Sequence, residues 1–327
     1  MRKWKWIASS FLLAMAFASC VKQPQKMVLQ GLVQGSYYAI TYYDEEGRNF
    51  QQEIDSIFHA VDMSVNLWVD SSVICKVNRN EEVALDQIFI ENFEIAQKAA
   101  ELSNGYFDPT ISPLVAAWGF SAKNGDTITP QLVDSLKQLV DYRKVHIEEG
   151  KLVKENPAMK LDFNAIAQGY TTDLVGALLD SKGIKSYIVD VGGEIFARGT
   201  KPDGKSWVVG IEKPAADWDS ERVVQQRVEL QDKGIVTSGS YRKYVERDGK
   251  RYSHCIDPMT GYPVEHNLLS ATVIAENATW ADALASVCMV MGMERSLELV
   301  KTLDGVEVFY IIVNDRGELE TYSYPIQ

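Results

Sequence analysis

The hydrophobic period of this chain keeps switching between helix and strand spacing without regular alternation, and that constrains the fold more than any other feature. Ile166, Tyr170, Leu174 and Leu178 recur every fourth residue, one face of a helix, and Gly183 follows as a stop. A few residues later, Tyr187–Val191 is apolar at every position but Asp190, a buried strand running into Gly192-Gly193. Ser36–Tyr43, Trp207–Ile211, Val223–Leu230, Gly234–Thr237 and Leu268–Ala275 also read as strands. Phe50, Ile54, Ile57, Phe58 and Val61 share a helical face, and Phe89–Ser103 and Trp280–Gly292 read as helices. Thr129-Pro130 supplies an N-cap and first-turn proline for a helix through Leu132, Leu136 and Val140. Hairpins are expected around Glu149-Gly150, Asp248-Gly249 and Asp315–Gly317. Strict βαβ alternation is missing, so the expected class is α+β, with largely antiparallel sheet.

The N-terminus is set apart from this pattern. Arg2, Lys3 and Lys5 precede a short apolar stretch, Ile7–Phe17, and then Ala18-Ser19-Cys20. The stretch is shorter than the roughly 20 residues of a spanning helix and reads as an export signal. Cysteine directly after small residues resembles a bacterial lipobox, although Phe17 stands where leucine is usual. The expectation is a signal peptide over residues 1–20, a lipid on Cys20, a polar tether over 21–28 and one domain over 29–327. The protein would then sit lipid-anchored on a bacterial membrane, facing the periplasm or the exterior. Cys75, Cys255 and Cys288 have no paired spacing, and no disulfide is expected.

Charge narrows the partners. The 327 residues carry a net charge of −12, which disfavours nucleic-acid backbones because phosphate contacts need clustered Lys and Arg. A phosphate-bearing ligand would need a local cation, most simply a metal.

Four segments carry the chemistry. Gly105–Leu114 with Trp118-Gly119-Phe120 places two prolines and two glycines among aromatics, and is expected to be an irregular, shaped loop. It would either plug the core or receive a flat aromatic ligand. Leu161–Tyr170 sets Asp162 and Asn164 before a helix, as caps or as the edge of a phosphate site at the helix N-terminus. Asp190-Val191-Gly192-Gly193-Glu194 marks a sharp turn or a close backbone approach, and is not a dinucleotide fingerprint. Ser253–Gly261 holds His254 and Asp257. Asp282 and Ser286 lie four residues apart on an otherwise Ala- and Leu-lined helix face, a carboxylate and hydroxyl of the hard-oxygen kind that suits Mg2+. His254 has the residue type for a general base near neutral pH, with Asp257 orienting it or capping the next turn; His59, His146 and His266 read as surface or structural.

Taken in order, these segments resemble the ApbE family of FAD:protein FMN transferases, from about Leu29 to about Val313. Gln34-Gly35-Ser36, Ser71-Ser72 with Asn78, Phe107-Asp108, Trp118-Gly119-Phe120, Asp162 with Gly169-Tyr170, Asp190–Gly193, Thr237-Ser238-Gly239, His254 with Asp257-Pro258 and Thr260-Gly261, and Ala281-Asp282-Ala283 carry the likeness. The resemblance implies two intimate mixed lobes with a flavin cleft between them. It implies transfer of FMN from FAD onto a threonine of an acceptor flavoprotein in a membrane redox complex, with release of AMP. It implies Mg2+ held by the Ala165 carbonyl, Asp282 and Ser286, the last replacing a usual threonine. It implies flavin contacts at Gln34, Trp68, Tyr106, Phe107, Asp108, Asp162, Gln168 and Ile256. Gln34 replaces a frequent methionine, and Gln168 a frequent lysine, which removes a positive charge near the phosphates. A Mg2+-dependent FAD pyrophosphatase giving FMN and AMP, and a non-catalytic FAD-binding lipoprotein, are the alternatives.

Overall fold

A computed structural model describes residues 23–326 apart from 122–124, 126, 215–222, 241–243 and 248–249. Cys20 and the Asp248-Gly249 turn lie outside the described residues. In chain order, strands β1 (Gln25–Val33) and β2 (Ser36–Asp44) lead to helices α1 (Gln51–Val65), α2 (Val73–Asn78), α3 (Gln87–Leu102), α4 (Ser112–Trp118) and α5 (Pro130–Lys137). A small hairpin, β3 (Val145–Glu148) and β4 (Lys151–Lys154), precedes α6 (Ala167–Ser181), β5 (Tyr187–Val191) and β6 (Glu194–Arg198). Next come β7 (Trp207–Glu212), β8 (Val224–Leu230), β9 (Lys233–Gly239), β10 (Tyr244–Arg247), β11 (Lys250–Ser253) and β12 (Leu268–Ala275). The chain closes with α7 (Ala278–Met291), α8 (Met293–Val300), β13 (Glu307–Val313) and β14 (Leu319–Tyr324).

Eight strands form one sheet in the order β1-β2-β5-β6-β9-β12-β13-β14, and every neighbouring pair is antiparallel. Two-residue turns set the register at two places that matter for the site. Gln34 and Gly35 join β1 to β2 with φ of 50° and 72°, and Gly192 and Gly193 join β5 to β6 with φ of 72° and 111°.

Helix α7 is buried all round and joins the two lobes. Ala281, Leu284, Ala285 and Cys288 pack with Val236, Ala271 and Val273 of the sheet. Ala283 and Val287 join Phe89, Phe93, Leu161, Phe163 and Ile166 in the core of the helical lobe. Helix α6 lies beside it, sending Val175 and Leu179 into the β2–β5 side of the sheet. The β7–β8 hairpin covers the opposite sheet face through Trp207, Ile211 and Leu230.

Two expectations are corrected. Residues 25–28 are not tether: Gln25 pairs with Asp44 and Val28 with Thr41, so the fold starts four residues early. The Gly105–Phe120 segment is not wholly irregular. Pro113 falls in the first turn of α4, where a missing N–H costs nothing, and Gly119 ends that helix in the left-handed conformation at φ 92°.

Candidate active site

The site is built where the first turns of α6 and α7 meet. Gly169 lies in the first turn of α6, so its N–H is one of those a helix start leaves without a partner in the helical ladder. It donates to Asp282 Oδ2 of α7 at 3.2 Å, and the Ala165 carbonyl lies two residues before α6, outside its ladder. Burial pushes the Asp282 carboxyl well above the usual range, and the Glu194 carboxylate adds to the rise. Ser286 follows one turn later on α7 and is half-buried. Asp282 is therefore not a surface residue but a carboxylate inside a buried helix.

The Gly192-Gly193 turn closes over α6. Gly192 takes φ 72°, a left-handed conformation that favours glycine, with the ends of the Gln168 and Glu194 side chains 2.6 and 3.0 Å from where a Cβ would fall. Asp190 holds the turn by accepting from the Gly193 N–H at 2.9 Å. Gln34, on the neighbouring turn, donates to Thr171 Oγ1 of α6 at 3.0 Å. The structure thus brings Gln34, Ala165, Gln168 and Asp282 to one helix end.

The loop before α4 lies alongside. Asn78 brackets Leu161, accepting its N–H at 2.7 Å and donating to its carbonyl at 2.9 Å. Asp162 then donates its N–H to the Pro109 carbonyl at 2.8 Å, and Ile111 bridges Lys160 in parallel. Burial raises the Asp162 carboxyl to about 6, opposed by the Asn164 N–H that caps onto it. Phe107 is buried in the helical-lobe core. Asp108 is turned inward: its carboxylate accepts from the Thr110 N–H and hydroxyl and from the Tyr142 N–H. Its carboxylate braces the loop. Tyr106 carries Arg295 over its ring at 5.2 Å and accepts a hydrogen bond from it. Trp68, in the α1–α2 connection, is 62% exposed.

His254 stands at the end of β11 with its ring edge-on to Phe120, centroids 6.3 Å apart. The turn after it is locked: Gly261 donates to the Asp257 carbonyl, Asp257 Oδ1 accepts from Met259, and Trp118 donates to the Gly261 carbonyl. Asp257 therefore takes the capping role. Ile256 is buried with Leu114, Trp118 and Val133. Met259 reaches back to Gly105, its Cε 2.8 Å from where a Cβ there would sit, which connects this turn to Tyr106. His266 bonds the Met289 carbonyl at 2.8 Å and is structural.

Sequence reasoning missed three participants. Asp173 accepts the Ala278 and Thr279 N–H groups at the start of α7, Gly169 allows the helix contact, and Glu194 shares the acidic pocket. Glu194 and Gly169 stood inside recognised segments without a role. Asp173 carried no signal, because an acidic residue four past a glycine on a helix is ordinary.

The ApbE family model matches residues 34–310. The chain belongs to the ApbE family. It is 33% identical over 332 residues to a Vibrio cholerae protein named FAD:protein FMN transferase, covering 99% of this chain and 97% of that relative. The fold is that of ApbE flavin transferases: the Vibrio cholerae structure superposes with a TM-score of 0.82 at 31% identity, over 93% of this chain and 100% of that one. The apo Pseudomonas stutzeri flavinyl transferase ApbE gives 0.82 at 32% identity, over 93% and 96%. Among the described residues of this ApbE-family chain, no three His, Cys, Asp or Glu side chains converge on a metal position. One carboxylate with neutral oxygens is the donor set Mg2+ accepts when phosphates and water complete its shell, and Ala165, Asp282 and Ser286 fit that description.

Proposed function

We propose that this protein transfers FMN from FAD to a threonine hydroxyl of an acceptor flavoprotein and releases AMP, with Mg2+ held by Ala165, Asp282 and Ser286. What carries it is the Asp282 carboxylate, buried at the start of α6 where it accepts the Gly169 N–H, in a chain aligned over nearly its whole length with an FAD:protein FMN transferase. A buried carboxylate whose pKa is raised by burial and by a second carboxylate invites a cation. When bound, Mg2+ neutralises phosphate charge and acts as a Lewis acid. The positive dipole end of α6 favours the pyrophosphate, and Gln168 offers a neutral donor there. His254 takes the proton of the acceptor hydroxyl as its oxygen bonds to the FMN phosphorus; the bond from that phosphorus to the bridging oxygen breaks, and AMP leaves with that oxygen. Trp68, Tyr106, Phe107 and Ile256 frame the flavin, and a lipid on Cys20 keeps the enzyme beside membrane-bound acceptors of redox complexes.

Incubation with FAD, Mg2+ and a threonine-bearing acceptor tests this. Fluorescence that stays on the acceptor through denaturing electrophoresis is the expected result; free FMN alone means a pyrophosphatase, and intact FAD a binding protein. Fatty-acid labelling that vanishes in Cys20→Ala tests the anchor.

A further inference from the structure

Helices α6 and α7 exchange carboxylates. Asp282 of α7 takes the Gly169 N–H of α6 at 3.2 Å. Asp173 of α6 takes the Ala278 N–H at 2.9 Å and the Thr279 N–H at 2.8 Å of α7, with the Thr279 hydroxyl as a third donor. Each acceptor lies four residues beyond a contact point, Gly169 for Asp173 and Ala278 for Asp282. At that contact the backbones touch: a Cβ on Gly169 would lie 2.6 Å from the Ala278 oxygen. Residue 169 meets 282 while 173 meets 278, so the two first turns run past each other in opposite directions. Each carboxylate satisfies amides that a helix start leaves free and complements a positive dipole end. Asp173 is itself under strain from burial, which raises its carboxyl against the pull of those donors. Asn277 already caps α7 through the Trp280 N–H at 2.7 Å. Asp173 is thus not needed merely to start the helix. What it adds is the axial position and rotation of α7 relative to α6.

We propose that Asp173, with Thr279, is a positioning residue for the cation site: it sets how Asp282 and Ser286 face the Ala165 carbonyl, and so sets Mg2+ affinity without touching the ion. This rests on the reading that Mg2+ binds at Asp282. The geometry supports it because Ala165 directly precedes α6 while Asp282 lies on α7, and the Gly169–Ala278 contact and these two carboxylate bridges tie the starts of the two helices together. Loss of one bridge loosens the register by which a backbone carbonyl and a side-chain carboxylate converge.

Calorimetric titration of Mg2+ into the FAD-loaded full chain tests this, with thermal melting in the absence of Mg2+ as a second readout. Asp173→Asn keeps one acceptor oxygen, and Thr279→Val keeps both N–H bonds, so the milder variant decides if the first does not fold. Mg2+ affinity should fall by about tenfold in Asp173→Asn, as for supports of metal ligands, and by less in Thr279→Val. Asp44→Asn serves as the control for instability alone, since it breaks a pairing with Arg48 at the C-terminal end of α6, away from the helix starts; it should lower the melting temperature and leave Mg2+ affinity unchanged. Unchanged Mg2+ affinity in a folded Asp173→Asn or Thr279→Val overturns the positioning role. A wild-type protein that binds no Mg2+ overturns the metal site and the positioning role together.

Discussion

Gly169 and Ala278 touch through their backbones: a Cβ on Gly169 would sit 2.6 Å from the Ala278 carbonyl oxygen and 2.9 Å from Asp282 Cβ. Neither neighbour can swing aside, since one is main chain and the other the root of a side chain. Gly169→Ala must therefore separate α6 from α7. The substitution should destabilise the protein by about 1–3 kcal/mol, the cost of overpacking a filled core, despite alanine's better helix propensity. FMN transfer should fall further than stability does. Urea denaturation together with the transfer rate checks this, and wild-type values in both would mean the helices separate freely.

Asp282→Asn should raise the Mg2+ requirement of FMN transfer by about 10–100-fold. Its effect on folding runs the other way. A carboxyl whose folded pKa is raised contributes stability that is complete below its unfolded pKa and lost as pH rises through the folded one. At pH 7 without Mg2+, the Asn variant should thus be at least as stable as the wild type. Ser286→Ala should be milder, because water replaces a hydroxyl ligand, and Ser286→Thr nearly silent. Transfer rates against Mg2+ concentration for the three variants decide; a wild-type curve for Asp282→Asn places the metal elsewhere.

Trp68 is 62% exposed, so little of the fold rests on its ring. Trp68→Ala should change stability by no more than about 0.5 kcal/mol while weakening FAD binding by about 1–3 kcal/mol, the range for stacking on an aromatic platform. Quenching of flavin fluorescence during titration reports this directly. An unaltered titration removes Trp68 from the flavin site.

Asp44 predicts the acid limb of stability. The Arg48 side chain donates to it at 2.8 and 3.0 Å and the Arg48 N–H at 2.6 Å, and that pairing holds its carboxyl at about 2, below the usual 3.8. A depressed folded pKa gives stability that is present above about 4 and lost as pH falls toward 2. Because Arg48 faces water on one side, about 1–2 kcal/mol is the expected size rather than the full shift. Asp44→Asn should lose that amount at pH 7 and only a small part of it at pH 2, measured by denaturation at both values.

The sequence by itself determined the local order of this protein. Four-residue spacing marked α6, an apolar run marked β5, Thr129-Pro130 marked the start of α5, and Glu149-Gly150 turned its hairpin, because propensity, capping and turn chemistry act within about one helical turn. Asp282 and Ser286 could be set on one helical face for the same reason. Where local signals compete, position decided: Pro113 reads as a breaker until it falls in a first turn, and Gln25–Val28 reads as polar tether until β2 pairs with it. Only the tertiary structure turned Asp108 inward onto Tyr142, 34 residues away. It alone set Asp173 against the start of α7, across 105 residues of chain, and brought Gly169 to Asp282. Those contacts depend on how two helices pack on a sheet assembled from both ends of the chain, and no local pattern encodes the distance between groups that folding alone brings together.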